Sequence, residues 1–582
     1  MQLTTLDYSI IGGFFLLVIG IGLWAGRTAG KSSKHYFLSN RDMPWWLLGV
    51  SMVATTFSAD TPNLVTDIIR KNGVAGNWVW WAFLLTGMLT VFVYARLWRR
   101  SSVLTDLEFY EIRYSGRAAT FLRAFRAIYL GVFFNVVIMA GVMLAGMKIA
   151  GILLGWSAET TLIVLSAIIL AFSTIGGFKG VVVTDFVQFG LSMLGMILAA
   201  IYLIDLPEVG GLTALVNHEL VVDYTSFFPD FDNRETLITL FIIPIAVQWW
   251  NVWYPGAEPG GGGYIAQRML SAKDENHAVK ATLLFNAAHY ALRPWPWILI
   301  ALASLIVFPQ VSDIAKAFPD LDTTLLGDDL AFPAMLSFLP AGLLGLVIAS
   351  LLAALMSTIS THLNWGASYI VNDFYKRFIK PDASEARLVN VGRLSTVILM
   401  LLAAFLAPYL DSAKEAFDLL LKIGAGTGLI FILRWFWWRI NAWSEISAMV
   451  FPLLVIIYFK TVGTHGLKEY EQLLVMIALT TAVWVTVTLL TRPTSTEKLE
   501  SFFALVRPHE VGWGPISKKL NLDTRIGANF PSELLMMALG CLMVYALLFF
   551  TGSLLYGAYI NALICLAVAI LSGGFLWRMN RT

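Results

Sequence analysis

The sequence predicts an all-α protein that lies in a membrane and crosses it about fifteen times. Of its 582 residues, 58% are hydrophobic and 13% are charged, whereas a soluble globular domain carries about 25% charged residues. A transmembrane helix needs about 20 predominantly apolar residues, and apolar stretches of this length recur along the whole chain. The basic residues are concentrated in alternate loops between these stretches. Together these observations exclude a soluble globular protein.

The apolar stretches divide the chain 1–582, a single predicted transmembrane domain, into segments whose boundaries carry an error of several residues. The first segment begins without a basic region, and no small-residue cleavage site follows it, so we expect it to remain as an extra N-terminal helix. The region 443–577 supplies additional C-terminal helices. In chain order the predicted segments are 7–27, 44–69, 76–98, 121–151, 158–177, 181–204, 235–255, 278–308, 333–374, 388–409, 415–436, 443–461, 472–491, 533–551 and 553–577.

The distribution of charge among the loops predicts the orientation in the membrane. Loops 27–43 and 96–126 are rich in lysine and arginine, whereas 205–235 holds one arginine among its carboxylates and 309–332 holds one lysine among five aspartates. Short basic loops lie on the cytoplasmic side. We therefore expect the N-terminus outside and the C-terminus in the cytoplasm, which requires an odd number of crossings. Arg70 and Lys71 fall on the outer side and are an exception to this pattern.

Two segments contain residues that interrupt a helix. In segment two, WWLLGVSMVATTFSADTPNLVTDII, Pro62 predicts a break at about Thr61 to Pro62 or just upstream. Segment seven contains Pro244, Pro255 and Pro259, and four glycines follow. Unpaired backbone at membrane depth persists only where it lines a cavity within the protein.

The two interrupted segments are five crossings apart. This spacing predicts an inverted repeat of five plus five helices, residues 44–205 and 235–436, whose broken helices form a solute and ion site near the midplane. The alternative is that each proline simply kinks its helix.

Segment nine carries hydroxyl side chains within LLAALMSTISTH, residues 351–362. A single hydroxyl in a membrane helix usually forms a hydrogen bond to a carbonyl of its own helix or to a neighbouring helix. Several hydroxyls on one face can also coordinate a hard monovalent cation, which binds several neutral or singly charged oxygens. The broken segment two would offer the freed carbonyls of Ala54 and Phe57 to the same cation. The stripe residues, with Ser360 flanking the face, are Ala354, Ser357, Thr358, Ser360 and Thr361.

A carboxylate is predicted at a matching depth. Asp185 lies just inside the cytoplasmic end of segment six, and segment nine reaches the same depth at Thr361. This agreement favours an ion-binding role for Asp185. The alternative is a residue at a helix start, favoured there by the helix dipole.

Segment eight places His289 and Arg293 one helical turn apart near mid-membrane. A charge at this depth costs at least about 2.5 kcal/mol and usually marks function or pairing. Asp60 and Glu258 are the candidate partners of Arg293. An arginine paired with one of these residues would have a structural role, whereas an unpaired arginine would bind the carboxylate of a solute in a bidentate manner.

Five motifs taken together resemble the sodium:solute symporter family, which includes the bacterial sodium/galactose and sodium/proline transporters. The resemblance covers approximately residues 5–460 and implies the LeuT-type five-plus-five fold, sodium as the coupling ion and a bacterial inner (cytoplasmic) membrane. The motifs are SMVATTFSAD, GGFKGVVVTDFVQ, YIAQR, AALMSTIS and NDFYKR.

The resemblance also implies the sodium ligands. The main sodium site would use the backbone carbonyls of Ala54, Phe57 and Ala354 and the hydroxyls of Ser357 and Thr358. Some family members hold a second sodium with an aspartate and further hydroxyls, and the residues that match that set are Asp185, Ser357, Ser360 and Thr361. The resemblance leaves open whether one or two sodium ions are transported in each cycle.

For the solute, the resemblance implies a less complete set. An asparagine and a gating tyrosine of the sugar-transporting branch match two residues of segment seven, but AEPG, residues 257–260, then stands as an insertion. That branch also contacts sugar with a glutamine, a glutamate and a lysine. Their positions fall at or near Thr61, Trp80 and His289 here. The predicted solute-binding residues are Asn251, Tyr254, Thr61, Trp80, His289 and Arg293.

We therefore predict a sodium-coupled symporter that imports a small organic solute by alternating access, with a sugar or polyol favoured. An organic acid or amino acid is the alternative substrate, and a transporter-like membrane sensor is the alternative from another class. An enzyme is disfavoured because no HExxH or GxSxG motif is present. We expect sodium, the solute and membrane lipid as partners and no nucleic acid, and the oligomeric state is open.

Overall fold

The computed structural model describes residues 3–29, 37–250, 258–319, 321, 326–410, 424, 426–520 and 530–579. Within these ranges the regular structure is helical, and the only β contact is an isolated bridge between Met43 and Ala272. Eleven helices of this described part are long and apolar enough to cross a membrane. The predicted all-α membrane class is confirmed, whereas the count of about fifteen crossings stays a prediction.

The N-terminal half of the described chain contains thirteen α-helices. They are α1 Thr5–Ala29, α2 Trp45–Thr56, α3 Asp60–Asn72, α4 Trp78–Trp81, α5 Leu84–Leu89, α6 Ala95–Ser101, α7 Phe109–Arg113, α8 Gly116–Ile128, α9 Asn135–Leu154, α10 Ala158–Ile204, α11 Leu212–Asn217, α12 Arg234–Leu237 and α13 Ile243–Ala246. Stretches of π-helix at Thr90–Tyr94, Tyr129–Phe134 and Ile238–Ile242 join consecutive α-helices into longer crossings.

The C-terminal half of the described chain contains a further fourteen. They are α14 Gly263–Ser271, α15 Glu275–Ala287, α16 Pro294–Val307, α17 Val311–Ala317, α18 Ala331–Leu336, α19 Leu343–Ser368, α20 Glu385–Leu406, α21 Gly428–Leu433, α22 Ala442–Thr461, α23 Glu469–Leu490, α24 Thr496–Val506, α25 Gly514–Leu520, α26 Phe530–Leu555 and α27 Tyr559–Met579. Two more π-helical stretches, Ala288–Leu292 and Tyr369–Ile379, follow α15 and α19.

Helix α10 joins the predicted segments 158–177 and 181–204, yet its two ends pack against the same part of α19. Leu165 and Leu355 both flank Gly146, and the hydroxyl of Ser192 donates to the carbonyl of Ser350 at 2.8 Å. A straight helix would separate residues 165 and 192 by about 40 Å, which is too far for both contacts. The chain therefore turns back within α10, in agreement with two crossings.

The break in segment two lies upstream of the predicted pair. Helix α2 ends at Thr56, and Phe57 leaves the helix with φ −93° and ψ 83°. Helix α3 begins at Asp60, so that Pro62 stands in its first turn, where a backbone N–H has no partner within the helix and the missing donor costs nothing. Proline thus starts the second half-helix and does not itself form the break.

Segment seven is also interrupted. Helix α13 ends at Ala246 and a 3₁₀ turn covers Gln248–Trp250. Residues 251–257 lie outside the described residues, and α14 begins at Gly263. Gly260 and Gly261 have φ of +88° and +80°, and a Cβ on Gly261 would come within 2.7 Å of the Met269 Cε. Only glycine adopts such a conformation without steric cost, which explains the run of four glycines.

Ion pairs account for the two basic residues that violate the charge pattern of the loops. Arg70 Nε lies 2.9 Å from Asp328 Oδ1, and Lys71 Nζ lies 2.6 Å from Asp67 Oδ1. Arg70 also donates to the carbonyl of Ser304 at 3.1 Å. Both cations are compensated within the protein, so they add little net charge to this side.

The C-terminal helices pack as neighbours of the core. Helices α26 and α27 pair with each other, as do α22 and α23. Tyr545 on α26 donates to the carbonyl of Trp81 at 2.8 Å, which ties this pair to segment three. The four elements that surround the predicted ion site are α2, α10, α14 and α19.

Candidate functional site

The interrupted second segment meets the hydroxyl stripe of segment nine. Thr358 Oγ1 on α19 donates to the carbonyl of Thr55 at 2.8 Å, in the last turn of α2 before the break. Ala54 and Phe57, the predicted carbonyl ligands, lie on either side of Thr55 along the chain. The C-terminal end of a helix carries partial negative charge on its free carbonyls, so this junction suits a cation.

Asp185 is fully buried and takes two hydroxyl hydrogen bonds. Ser357 Oγ donates to Oδ1 at 2.6 Å, and Ser51 Oγ donates to Oδ2 at 2.5 Å. The structure therefore brings Asp185 next to the stripe, as the matching depths predicted. Ser357 points toward this carboxylate, so the two predicted sodium sets meet at one side chain.

The remaining stripe hydroxyls have different neighbours. Ser360 Oγ donates to the carbonyl of Ser357 in its own helix at 3.1 Å. Thr361 Oγ1 lies 3.1 Å from Thr55 Oγ1, across the junction with α2. Ala354, Thr358 and Thr361 are all at most 2% exposed. Hydroxyls and carbonyls thus surround a buried junction from which the bulk solvent is excluded.

Arg268, to which no sequence pattern assigned a role, completes this cluster. Its guanidinium on α14 is fully buried, and Nη2 lies 2.9 Å from Thr361 Oγ1, 3.0 Å from Ser51 Oγ and 3.4 Å from Asp185 Oδ2. The YIAQR motif contains this residue, and its charge beside a broken helix was the available signal. A buried arginine needs such partners because an unpaired buried charge is costly.

The chemistry of the oxygens fits sodium. Among the described residues no group of three or more histidine, cysteine, aspartate or glutamate side chains is close enough to hold a metal ion. What the junction offers is one carboxylate, several hydroxyls and the carbonyls at a helix end. Such hard, mostly neutral oxygens are suitable ligands for an alkali cation.

Arg293 and His289 lie on the other side of the same break. Arg293 Nη1 donates to the carbonyl of Thr56 at 2.5 Å, and Nη2 lies 3.2 Å from His289 Nε2. His289 Nδ1 lies 3.3 Å from Thr56 Oγ1. The guanidinium also sits over the ring of Trp297, 5.3 Å from its centroid. The C-terminal end of α2 therefore contacts the predicted sodium residues through Thr55 and the Arg293 and His289 side chains through Thr56.

Glu258 is not the partner of Arg293. Its carboxylate binds Arg126 and lies 3.6 Å from Arg434 Nη2, and all three side chains are about 2% exposed. The prediction failed because both arginines come from distant segments that no local pattern relates to the glycine run. Asp60, the second candidate partner, forms no ion pair with Arg293 within the described residues, and its Oδ1 is buried without a hydrogen-bond partner there.

Two of the other predicted solute residues lie near this side. The ring of Trp80 is 5.8 Å from that of His289, and its Nε1 donates to Asn77 Oδ1 at 2.8 Å. Thr61 is half-buried in the first turn of α3. Asn251 and Tyr254 lie outside the described residues.

A cavity of about 460 Å³ opens beside the broken helix but does not contain these residues. Its wall is mostly apolar and comes from α1, α9, α10 and α19, with Ala59 at the break. An apolar wall offers a polar solute few hydrogen bonds.

Comparisons with known proteins identify the family and its relatives. The model of the sodium:solute symporter family matches residues 36–451. A sodium/glucose cotransporter of Vibrio parahaemolyticus is 27% identical over 482 residues, which are 79% of this chain and 86% of the relative. A sodium/mannose cotransporter of Bos taurus is 25% identical over 487 residues, which are 78% of each chain.

Among solved structures, the substrate-bound outward-open state of a Na⁺-coupled sialic acid symporter superposes with a TM-score of 0.67 at 19% identity. The match covers 85% of this chain and 99% of that chain. This likeness confirms the LeuT-type fold expected from the sequence.

Proposed function

Because the chain belongs to the sodium:solute symporter family, we propose that it imports a sugar or polyol together with sodium by alternating access. Members of this family are secondary transporters, and sodium is the coupling ion. Relatives named as cotransporters of glucose and mannose support a sugar as the solute. The observation that carries the proposal is the hydrogen bond between Thr358 and the Thr55 carbonyl, which joins the hydroxyl stripe to the broken helix.

The coupling sodium binds where α2 ends against α19. Its ligands are the predicted carbonyls and hydroxyls of this junction. When the ion binds, the Thr358 hydroxyl gives up its hydrogen bond to the Thr55 carbonyl and coordinates the ion, and the ligand oxygens move toward the ion. A cation held by both helices favours the arrangement in which they touch. The ligands are Ala54, Phe57, Ala354, Ser357 and Thr358. The oxygens of the second predicted set, Asp185, Ser357, Ser360 and Thr361, lie beside a fixed positive charge on Arg268, so we assign coupling to the first set.

The solute binds on the opposite face of the break. Trp80 supplies an aromatic face of the kind that packs against a sugar ring, and His289 supplies ring nitrogens that exchange hydrogen bonds with hydroxyls. Thr61 and the residues Asn251 and Tyr254 complete the proposed set. Arg293 links this pocket to the sodium junction, because it donates to the carbonyl of Thr56 between the two.

The contacts of Arg293 favour a sugar over a carboxylated solute. Its two terminal nitrogens already contact Thr56 and His289, and a carboxylate would have to displace the Thr56 carbonyl to bind with both arms. Neutral hydroxyls require no such exchange.

Coupling follows from the shared helix end. Sodium and solute contact opposite faces of the last turn of α2, so each stabilises the same arrangement of the break and raises the affinity for the other. The membrane potential adds about 2.3 kcal/mol per charge per 100 mV to inward sodium movement. In this proposal the repeats are 44–205 and 235–436, and 7–27 and 443–577 are additions.

The proposed location is a bacterial inner membrane with the N-terminus outside and the C-terminus in the cytoplasm. The basic loops support this orientation, and Arg70 and Lys71, which form ion pairs with Asp328 and Asp67, are the exception to it.

Uptake of radioactive sugars and polyols into proteoliposomes tests the proposal. We expect accumulation above equilibrium with an inward sodium gradient and none when choline replaces sodium. Accumulation of an organic acid or amino acid but of no sugar or polyol would favour the carboxylated alternative, and solute binding without accumulation would favour the membrane sensor.

A further inference from the structure

The cavity of about 460 Å³ beside the broken helix belongs neither to the sodium junction nor to the proposed solute pocket. None of the described side chains that line it is charged, and the polar ones are Tyr8, Trp156 and Thr161. The hydroxyl of Thr161 is buried and already donates to the carbonyl of Ser157 at 2.9 Å. Such a wall offers hydrogen-bond partners to neither a polar solute nor a cluster of water molecules, and an apolar space of this size binds apolar ligands.

The cavity spans about the depth of one membrane leaflet. Its lining residues on α9 extend from Gly146 to Leu154, a rise of about 12 Å, and half of a hydrocarbon core is about 15 Å thick. Ala59 also lines the cavity and stands at the break of segment two, which such folds place near the middle of the membrane. The length of the cavity therefore matches a single acyl chain that enters from the membrane surface.

Aromatic side chains mark the mouth of the cavity. Tyr8 near the start of α1 and Trp156 just beyond the end of α9 both line the cavity, and both are exposed. Tyrosine and tryptophan are typical of the membrane–water interface, where the ring stays in apolar surroundings and the polar tip reaches water. The mouth therefore lies at the level of the lipid head groups.

Helix α1, the extra N-terminal helix, is fixed in place as one wall of the cavity. Asp7 accepts hydrogen bonds from the backbone N–H groups of Gly342 and Gly345 at the start of α19, both at 2.8 Å. A Cβ on Gly345 would lie 2.5 Å from the Asp7 Cα, so the two helices touch next to the mouth. The cavity is therefore a fixed feature of the fold and not a gap between loosely packed helices.

The charges around the mouth favour one class of lipid. Residues 3–26 and 149–178 contain no lysine or arginine, and their only charged residues are Asp7 and Glu159. Lys148, which precedes the second range, is buried and forms an ion pair with Asp329 at 2.6 Å. Glu159 is exposed at the start of α10 and attracts positive charge. An anionic head group would meet only negative charge here, whereas an ammonium group would meet its complement.

We propose that this cavity binds one acyl chain of a phospholipid whose head group carries an ammonium group, as in phosphatidylethanolamine. The glycerol backbone lies at Tyr8 and Trp156, and the end of the chain lies against Ala59. The site goes beyond the proposed transport function and does not depend on which solute the protein carries.

Native mass spectrometry of the delipidated protein, titrated with phosphatidylethanolamine in detergent, tests the binding. Ala150 lines the cavity and is 7% exposed, so Ala150→Phe places a ring where the acyl chain would lie. We expect one tightly bound lipid per unmodified chain and an affinity at least about tenfold lower for Ala150→Phe, because the ring displaces several methylene groups. Ile163→Phe is the matched control, since Ile163 on α10 is 69% exposed, and it should bind the lipid like the unmodified protein. Phosphatidylglycerol with the same acyl chains should bind more weakly.

A phosphatidylethanolamine with a diazirine in its acyl chain locates the site on the unmodified protein, so the test does not depend on the folding of a variant. After irradiation we expect cross-links within residues 146–154 and 161–168, and their loss when unlabelled phosphatidylethanolamine is added in excess. Absence of a retained lipid, equal affinities of Ala150→Phe and Ile163→Phe, stronger binding of phosphatidylglycerol, or cross-links spread evenly over the lipid-facing helices would each overturn the inference. None of these measurements involves transport, so such a result would leave the proposed function intact.

Discussion

Thr358 and Thr55 are joined across two helices by a hydrogen bond of 2.8 Å from the Thr358 hydroxyl to the Thr55 carbonyl. The donor is fully buried, and the acceptor belongs to the last turn of α2. This one contact brings the interrupted helix and the hydroxyl stripe within the reach of a single ion.

Replacing Thr358 with valine should weaken sodium binding at least about tenfold, because the shape is kept while one oxygen ligand is lost. The sodium concentration for half-maximal uptake measures this. Thr396→Val is the matched control, since its hydroxyl is equally buried but bonds only to the carbonyl of Gly392 in its own helix, at 3.0 Å. Equal sodium dependence of the two variants would argue against the junction as the sodium site.

Arg293→Lys should raise both the sodium concentration for half-maximal uptake and the KM for solute. Lysine keeps the charge but cannot reach Thr56 and His289 with two fixed arms. Arg41→Lys is the control, because Arg41 also donates to two backbone carbonyls, those of Ser102 and Val103, but far from the site. A rise in solute KM without any change in sodium dependence would show that Arg293 does not link the two sites.

Glu258→Gln should lower the free energy of unfolding by about 3–5 kcal/mol, because it leaves the buried Arg126 without its carboxylate, whereas Arg434 keeps Glu445 at 3.4 Å. The melting temperature in detergent, compared with the unmodified protein, reports the loss. Glu275→Gln breaks a pair with Arg100 in which both side chains are partly exposed, at 2.9 Å, and should cost under about 1 kcal/mol. Similar shifts for the two variants would contradict the buried network around Glu258.

Neighbouring aspartates of the loop between α17 and α18 should differ in their contributions to stability. Asp329 forms a 2.6 Å ion pair with Lys148, and both side chains are under 10% exposed, whereas Asp328, the partner of Arg70, is 23% exposed. Asp329→Asn should therefore lower the melting temperature more than Asp328→Asn, because water compensates the exposed charge better. The opposite order in a thermal melt would refute this ranking.

The stability contributed by Glu111 should depend on pH. Burial raises the pKa of this carboxyl, but hydrogen bonds from Arg377 and Arg123 outweigh it and leave the pKa below its usual 4.5. A group with a lowered pKa stabilises the folded state above the unfolded-state pKa, and the contribution disappears as the pH falls through the folded-state pKa. Thermal melts of Glu111→Gln and the unmodified protein should differ at neutral pH and converge below about pH 4.5. A difference independent of pH would exclude this origin.

Local sequence patterns were sufficient for the main elements of the fold. The apolar stretches gave the helices, and the prolines and glycines gave the two interrupted segments. The first break lies just upstream of Thr61 and Pro62, within the predicted range, but its exact position could not be predicted. Pro62 is equally acceptable in the first turn of a helix, so the residue alone does not distinguish a break from a start.

The part of the site that could be predicted from the sequence is the part that lies on one helix face or at a depth that residue spacing indicates. The hydroxyl stripe and Asp185 meet because their depths agree, which sequence spacing can estimate. The positions of Arg268 and Glu258 depend on how half-helices pack after a break, and no periodicity encodes that. The partners of these two side chains come from elements far away in sequence, so only the three-dimensional arrangement reveals them.

The short stretch that includes Glu258 restricts how parts can be exchanged among relatives. Removing AEPG to match the shorter connection of the sugar-transporting branch would delete the carboxylate that Arg126 and Arg434 share. A chimera with the shorter connection would then carry Arg126 in its interior without a carboxylate, whereas Arg434 would keep Glu445 at 3.4 Å. Such a graft therefore also requires the replacement of Arg126 by an uncharged residue.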